Sequence, residues 1–263
     1  MTSVAKLVIV ALEGCHGCGK SALCAEFEAQ GYDILDEAFM KMPSYALHPQ
    51  SLLMETSWVC SWFERVLRLA DRVKPTRKQV FIADRSPFSA VLYSANGRLL
   101  EPVIRAQMKE VQDFAHVQFY TVHVQVDREL LWRRICARIA LEPERLRLNE
   151  HKREWMDETL DFYQSFAWDF TVANDERSVA VIAAAIRRLL VEKDDTFEAV
   201  HKCTKPRATS SHSTSNSSLL GTDSECESVE EETSSDAEWN SKEADTRVRS
   251  IIAFNNTPPT DGL

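Results

Sequence analysis

Leu7-Val8-Ile9-Val10-Ala11-Leu12-Glu13-Gly14-Cys15-His16-Gly17-Cys18-Gly19-Lys20-Ser21 is the stretch on which the reading of this chain turns. Its first six residues form an unbroken apolar run, the composition of a central parallel strand covered on both faces. Gly14 to Ser21 then fits the pattern G-x-x-x-x-G-K-[ST] without a mismatch. Glycines let the backbone curl so that successive N–H groups point inward at phosphates, and the following helix N-terminus adds its dipole. Lys20 is expected to reach the β- and γ-phosphates, and the Ser21 hydroxyl to bind Mg²⁺. The expected nucleotide-binding set is Gly14, Cys15, His16, Gly17, Cys18, Gly19, Lys20, Ser21 and Ala22, with ATP and Mg²⁺ as cofactors. Cys15 and Cys18 also spell C-x-x-C, but no second pair completes a zinc site. Small residues at the variable positions of a phosphate loop account for them.

Outward from the loop, strand-like and helix-like stretches alternate. Helical periodicity covers Gly19–Ala29 and stops at Gly31, and Tyr32–Leu35 reads as a second strand. A helical region over Pro49–Val73 is broken by Lys74-Pro75-Thr76, and Gln79–Ala83 is a third strand. A helix over Pro102–Phe114 precedes a fourth strand within Val117–Val126. Helices are expected over Arg128–Leu141 and Glu144–Phe166, a last strand at Phe170–Ala173 and a last helix at Val179–Val191. This alternation implies an α/β fold, a doubly wound parallel sheet with right-handed crossovers and helices on both faces. Ligands of such sheets sit at the carboxyl ends of the strands, which directs attention to the residues just after each one.

The third strand ends in Asp84-Arg85-Ser86. An aspartate there, beside the phosphate loop, is suited to hold Mg²⁺ directly or through water, and Arg85 to meet the acceptor or its phosphate. The second strand ends in Asp36-Glu37, whose carboxylates face the acceptor side, where one would take a proton from an attacking hydroxyl. Sequence leaves open which of the two points inward. Arg134 and Arg138 are four apart on the helix after the fourth strand and share a face, with Arg133 beside them. Arginines closing over a transferring phosphoryl group stabilise its developing charge. Arg145 and Arg147 continue the basic run past Pro143, which suggests a mobile lid. Trp58, Trp62 and Phe63 lie on the helix expected to line the acceptor pocket, as stacking surfaces or as core.

On these motifs the chain resembles the deoxynucleoside kinase and thymidylate kinase superfamily. Glu13-Gly14 through Lys20-Ser21 is similar to the E-G-x-x-G-x-G-K-[ST] start of deoxynucleoside kinases, and Asp84 to Ala90 to their [ED]-R-S-x-x-S-A segment. Arg134-Ile135, Arg138 and Glu142 resemble the arginine-rich lid. The resemblance spans roughly residues 7–190 and implies a P-loop NTPase-type fold with a helical lid. It implies Glu37 as general base, Arg85 near the acceptor hydroxyl, Asp84 near Mg²⁺, and Arg134 and Arg138 at the phosphates. The implied reaction is ATP-dependent phosphorylation of a (deoxy)nucleoside 5′-hydroxyl. Phosphorylation of a (deoxy)nucleoside monophosphate is the alternative, and a nucleotide-dependent switch without acceptor chemistry another. Three departures stand out. Ala38 follows the glutamate where the family usually has proline, Ser61 falls where the family carries a base-reading glutamine, and Cys136 and Ala140 replace two lid arginines.

Composition bounds the rest. A chain of 263 residues with 44% hydrophobic residues can bury one α/β core. A net charge of −9 argues against a nucleic-acid binder. Seven scattered cysteines fit a reducing compartment, and no segment approaches the length of a membrane span, so a cytoplasmic protein that binds neither nucleic acid nor membrane is expected. The chain changes character near residue 200. Residues 1–200 read as the kinase-like domain, and 201–263 as a disordered Ser/Thr-rich acidic tail that cannot bury enough apolar surface to offset its ordering entropy. The partner expected for the domain is a small nucleoside or nucleotide acceptor, and a homodimer stays open. The tail is open to a protein partner or to phosphorylation at Ser224, Ser228 and Thr233.

Overall fold

A computed structural model describes residues 7–38, 47, 50–73, 79–94, 96–148 and 150–194. The expectations placed on Lys74-Pro75-Thr76, on the Arg147 side chain and on the tail lie outside the described residues. Five strands, β1 (Leu7–Glu13), β2 (Asp33–Leu35), β3 (Gln79–Asp84), β4 (Val117–Gln125) and β5 (Phe170–Ala173), form one sheet in the order β2-β3-β1-β4-β5. Every pairing is parallel; Leu12 of β1 registers with Asp84 of β3 and with Val122 of β4. Among the described residues the α-helices are α1 (Lys20–Ala29), α2 (Leu52–Arg72), α3 (Ser89–Tyr93), α4 (Leu100–Ala115), α5 (Arg128–Leu141), α6 (Arg153–Ser165) and α7 (Val179–Lys193).

The apolar run of β1 explains the layering. All seven of its residues are buried, because alternate side chains enter two different cores. Val8, Val10 and Leu12 pack with Leu23 and Phe27 of α1, Leu131 and Ile135 of α5, and Ile182 and Ile186 of α7. Leu7, Ile9 and Ala11 pack on the opposite face with Trp58, Trp62 and Val66 of α2 and Ile104 of α4. This is the doubly wound parallel sheet with helices on both faces expected from the sequence. From β1 the chain goes first to β2 and β3 on one side, then to β4 and β5 on the other. The carboxyl end of β1 therefore lies at the point where the strand order reverses, the natural crevice for a ligand.

Most element bounds fall within a few residues of the sequence reading, with two corrections. The helix expected over Glu144–Phe166 is split into a 3-10 stretch at Pro143–Leu148 and α6 from Arg153. Proline favours the start of a turn, and Arg145 pairs with Glu142 and Glu150 rather than along a continuing helix. The short helix α3 was not anticipated; it follows directly from the Asp84-Arg85-Ser86 turn and buries Ala90, Val91 and Leu92. No helix among the described residues is long and apolar enough to cross a membrane.

Candidate active site

The loop between β1 and α1 needs its glycines at two points. Gly14 has φ +146°, and a Cβ there would lie 2.8 Å from the carbonyl oxygen of Val124; Gly19 has φ +95°, and a Cβ would lie 2.6 Å from Asn174 Nδ2. Left-handed backbone together with close approach leaves no room for a side chain. Asn174 in turn donates from Nδ2 to the Cys18 carbonyl at 2.7 Å, so the residue after β5 braces the loop. Lys20 is buried and its ammonium donates to the loop carbonyls of Gly14 at 2.7 Å and Cys15 at 3.1 Å. It thus sits within the curve of the loop where phosphates would lie. Ser21 and Ala22 are exposed at the start of α1.

His16, at the loop's centre, is 6% exposed, and its Nε2 has no hydrogen-bond partner. Burial lowers its pKa to about 3, assisted by the charges of Lys20, Arg138, Arg85 and Arg145. The imidazole is neutral at physiological pH. Cys15 and Cys18 are buried free thiols, and burial pushes the Cys15 thiol well above its ordinary range, which leaves little thiolate there.

The Ser21 hydroxyl donates to Asp84 Oδ2 at 3.0 Å, bringing the two expected Mg²⁺ residues together across the gap between α1 and β3. Asp84 Oδ1 is buried and without a hydrogen-bond partner. One residue on, Arg85 adopts φ +75°. Its backbone N–H donates to the Leu12 carbonyl at 3.1 Å, and its guanidinium reaches Ser89 Oγ at 3.4 Å and the Tyr163 hydroxyl at 3.2 Å. Left-handed backbone at a non-glycine residue costs on the order of 1–3 kcal/mol and persists only where its surroundings over-determine it. Here they do: the guanidinium also packs over the Tyr93 ring at 5.2 Å from its centroid.

A carboxylate anchors this arrangement from below. Glu13, the last residue of β1, is fully buried. It accepts from the Ser86 N–H at 2.6 Å, the Ser86 hydroxyl at 2.7 Å, Ser89 Oγ at 3.0 Å and the Tyr163 hydroxyl at 3.1 Å. Four donors satisfy a charge that would otherwise be costly to bury. Glu13 and Ser89 lie within motifs the sequence already offers, but their roles there carried no signal. Tyr163 comes from α6, 150 residues away in the chain from Glu13, and nothing local marks it.

Asp36 and Glu37 diverge. The Asp36 carboxylate pairs with Arg65 on α2 at 2.9 Å, and Arg65 also holds its carbonyl. Glu37 Oε1 lies 2.8 Å from Arg85 Nε, an ion pair without hydrogen-bond alignment, and the Glu37 carbonyl accepts from the Trp58 indole N–H at 3.0 Å. Ala38 has φ +53°. Proline is locked near φ −65°, so this backbone excludes the proline that the resemblance would put there. Trp58, Trp62 and Phe63 are all buried, and Trp62 packs on Phe63 and Phe119 within the sheet-face core.

The arginines of α5 separate as well. Arg134 donates to the carbonyl oxygens of Asn174 at 3.3 Å and Asp175 at 2.6 Å, which ties α5 to the loop after β5. Beside that loop lies an open cleft of about 590 Å³ lined by Asp127, Leu130, Arg133, Asp175, Glu176 and Arg177. Arg138 pairs with Glu150 at 2.5 Å, and Arg145 reaches the other oxygen of Glu150 at 3.3 Å and also pairs with Glu142. Lys20, Ser21, Asp84, Arg85 and Glu37 therefore gather at the carboxyl ends of β1, β2 and β3. Arg134 and Arg138 border the loop while occupied by carbonyl and carboxylate oxygens.

No family model and no curated protein matches this chain. Among solved structures it is similar to an APS kinase of Mycobacterium tuberculosis, at 17% identity and a TM-score of 0.48 over 71% of this chain and 98% of that one. It is also similar to a deoxyadenosine kinase of M. mycoides, at 20% identity and a TM-score of 0.46 over 70% of this chain and 99% of that one. A shikimate kinase of Acinetobacter baumannii shares 14% identity at a TM-score of 0.42 over 73% of this chain and 96% of that one.

Proposed function

We propose that this chain is an ATP- and Mg²⁺-dependent phosphotransferase that phosphorylates the 5′-hydroxyl of a (deoxy)nucleoside. The observation that carries the reading is the Glu37–Arg85 pair, 2.8 Å apart, at the same end of the sheet as the Lys20 loop and the Ser21–Asp84 pair. A phosphate loop alone would serve a switch as well as an enzyme. A carboxylate oriented at this end of the sheet gives an acceptor hydroxyl a group within reach to take its proton.

Ser21 and Asp84 fit a hard divalent cation: both offer oxygen, and Asp84 Oδ1 has no protein partner. Mg²⁺ bound there with ATP would supply charge neutralisation on the β- and γ-phosphates. Within this reading Lys20 exchanges its loop carbonyls for phosphate oxygens. Glu37 accepts the proton of the acceptor hydroxyl as the oxygen forms its bond to the γ-phosphorus and the bond to the leaving ADP breaks. Arg85 fixes the direction of the Glu37 carboxylate, and the Glu13 network fixes Arg85. Arg134 and Arg138 stand as the lid cations, Arg138 by trading a Glu150 oxygen for a phosphate oxygen.

The test is ADP release by the full chain with ATP, Mg²⁺ and, separately, each common nucleoside and each 5′-monophosphate. Stimulation by nucleosides is expected. Stimulation by monophosphates alone would make the chain a monophosphate kinase, and nucleotide binding with no stimulation by any acceptor would make it a switch.

A further inference from the structure

Glu55 stands one turn before Trp58 on the buried face of α2, where residues three apart are neighbours. It is 2% exposed, and its Oε1 has no hydrogen-bond partner. Trp58 carries the Glu37 carbonyl on its indole N–H, which brings this face of α2 against the end of β2. The charged groups acting on Glu55 are Arg85, from the turn after β3, and Glu37, from the end of β2. A buried polar atom left unpaired typically costs on the order of 1–3 kcal/mol. A carboxyl oxygen left so beside a reactive pair therefore points to a ligand that completes it.

We propose that Glu55 is a specificity-determining residue of the acceptor subsite, whose carboxyl hydrogen-bonds an uncharged polar group of the acceptor beside the Glu37–Arg85 pair. The proposal rests on the phosphotransfer reading and deepens it, because it names a residue that reads the acceptor. Burial raises the pKa of Glu55 to about 8, with Arg85 opposing and Glu37 adding to the rise. At neutral pH the group is then a carboxylic acid, which donates one hydrogen bond and still accepts others. That pattern matches a hydroxyl or an amide-like base edge. It does not suit an acceptor phosphate: Arg85 is already paired with Glu37, and a dianion would sit against two carboxyl groups. Once Glu55 ionises it loses its donor and repels Glu37 as well.

The full chain, Glu55→Gln and Glu55→Leu are assayed with saturating ATP and a panel of uncharged nucleosides from pH 6.5 to 9, with affinity for a fluorescent ATP analogue measured separately. Glu55→Leu is expected to raise acceptor KM about tenfold or more, with kcat and analogue affinity within about threefold of wild type. In wild type the acceptor KM is expected to rise as pH passes 8. Glu55→Gln, which keeps an amide donor, is expected to hold KM within about threefold at pH 7 and to abolish that rise. An unchanged KM in Glu55→Leu, a loss in Glu55→Gln as large as in Glu55→Leu, or a flat wild-type KM would overturn the proposal while leaving phosphotransfer standing. If wild type binds the analogue but no acceptor releases ADP, the phosphotransfer reading falls and the proposal with it. Should Glu55→Leu fail to fold, the pH profiles of wild type and Glu55→Gln decide.

Discussion

On the proposed reading, Lys20 is structural at rest and chemical in use. Its ammonium lies on the Gly14 and Cys15 carbonyls, inside the loop it is expected to leave for phosphate oxygens. Lys20→Ala should therefore fold, as judged by circular dichroism, and lose phosphotransfer by about a hundredfold or more. The two carboxylates after β2 differ only in partners. Glu37→Gln is expected to lower kcat far more than it weakens acceptor binding, and Asp36→Asn, which removes the charge Arg65 pairs with but not its contact to the carbonyl, to change melting temperature more than kcat; the opposite ranking in steady-state assays would exchange their roles. Ala38 offers a backbone test. At φ +53° glycine relieves a left-handed penalty of about 1–2 kcal/mol, so Ala38→Gly should raise the melting temperature and Ala38→Pro should lower it sharply. Glu55 adds a pH dependence. Its folded pKa near 8 lies above the ordinary carboxyl value of 4.5. The folded state therefore binds the extra proton across that window, and its stability contribution is complete below the lower value and lost as pH rises through 8. Melting temperature should fall from pH 5 to 8.5 in wild type, and less so in Glu55→Gln.

At the scale of elements, α2 and the segment after α5 do different work. Helix α2 is capped by Ser51, whose hydroxyl accepts from the Met54 N–H at 3.4 Å. It holds the β2 end at two points, through Trp58 and Arg65. Trp58→Phe keeps the core ring and deletes one of those hydrogen bonds. Its expected effect is a several-fold fall in kcat with a stability loss of about 1 kcal/mol, measured by denaturant unfolding. The segment from α5 into the 3-10 stretch is held by Glu150, which is buried and carries both Arg138 and Arg145. On the proposed reading, Glu150 would compete with phosphate for the arginines. The break in the helix expected over Glu144–Phe166 has the same origin, because local ion pairs and Pro143 outweigh helical periodicity there.

For the whole molecule, the sheet order puts the phosphate loop at the reversal of strand order, and the rest of the site assembles around it. The Ser/Thr-rich acidic residues after about 200 lack the composition for a packed core. Truncation there is expected to leave activity and melting temperature almost unchanged, and a large fall in melting temperature would show that Val248–Phe254 docks on the domain. The apolar run of β1, the phosphate loop behind it and the strand–helix alternation are local patterns, so the sequence determined the doubly wound fold; α5 and β5 even begin and end where periodicity ends them. What it could not determine is where side chains point. Asp36 and Glu37 are neighbours of like chemistry, and they part because Arg65, 29 residues on, takes one and Arg85 takes the other. Tyr163 joins Glu13 across 150 residues, and Glu55 acquires its raised pKa only because packing buries its place on α2. Covalent neighbours set backbone preference, but partners brought together by packing set the direction, charge and solvation of a side chain, and those belong to the tertiary structure alone.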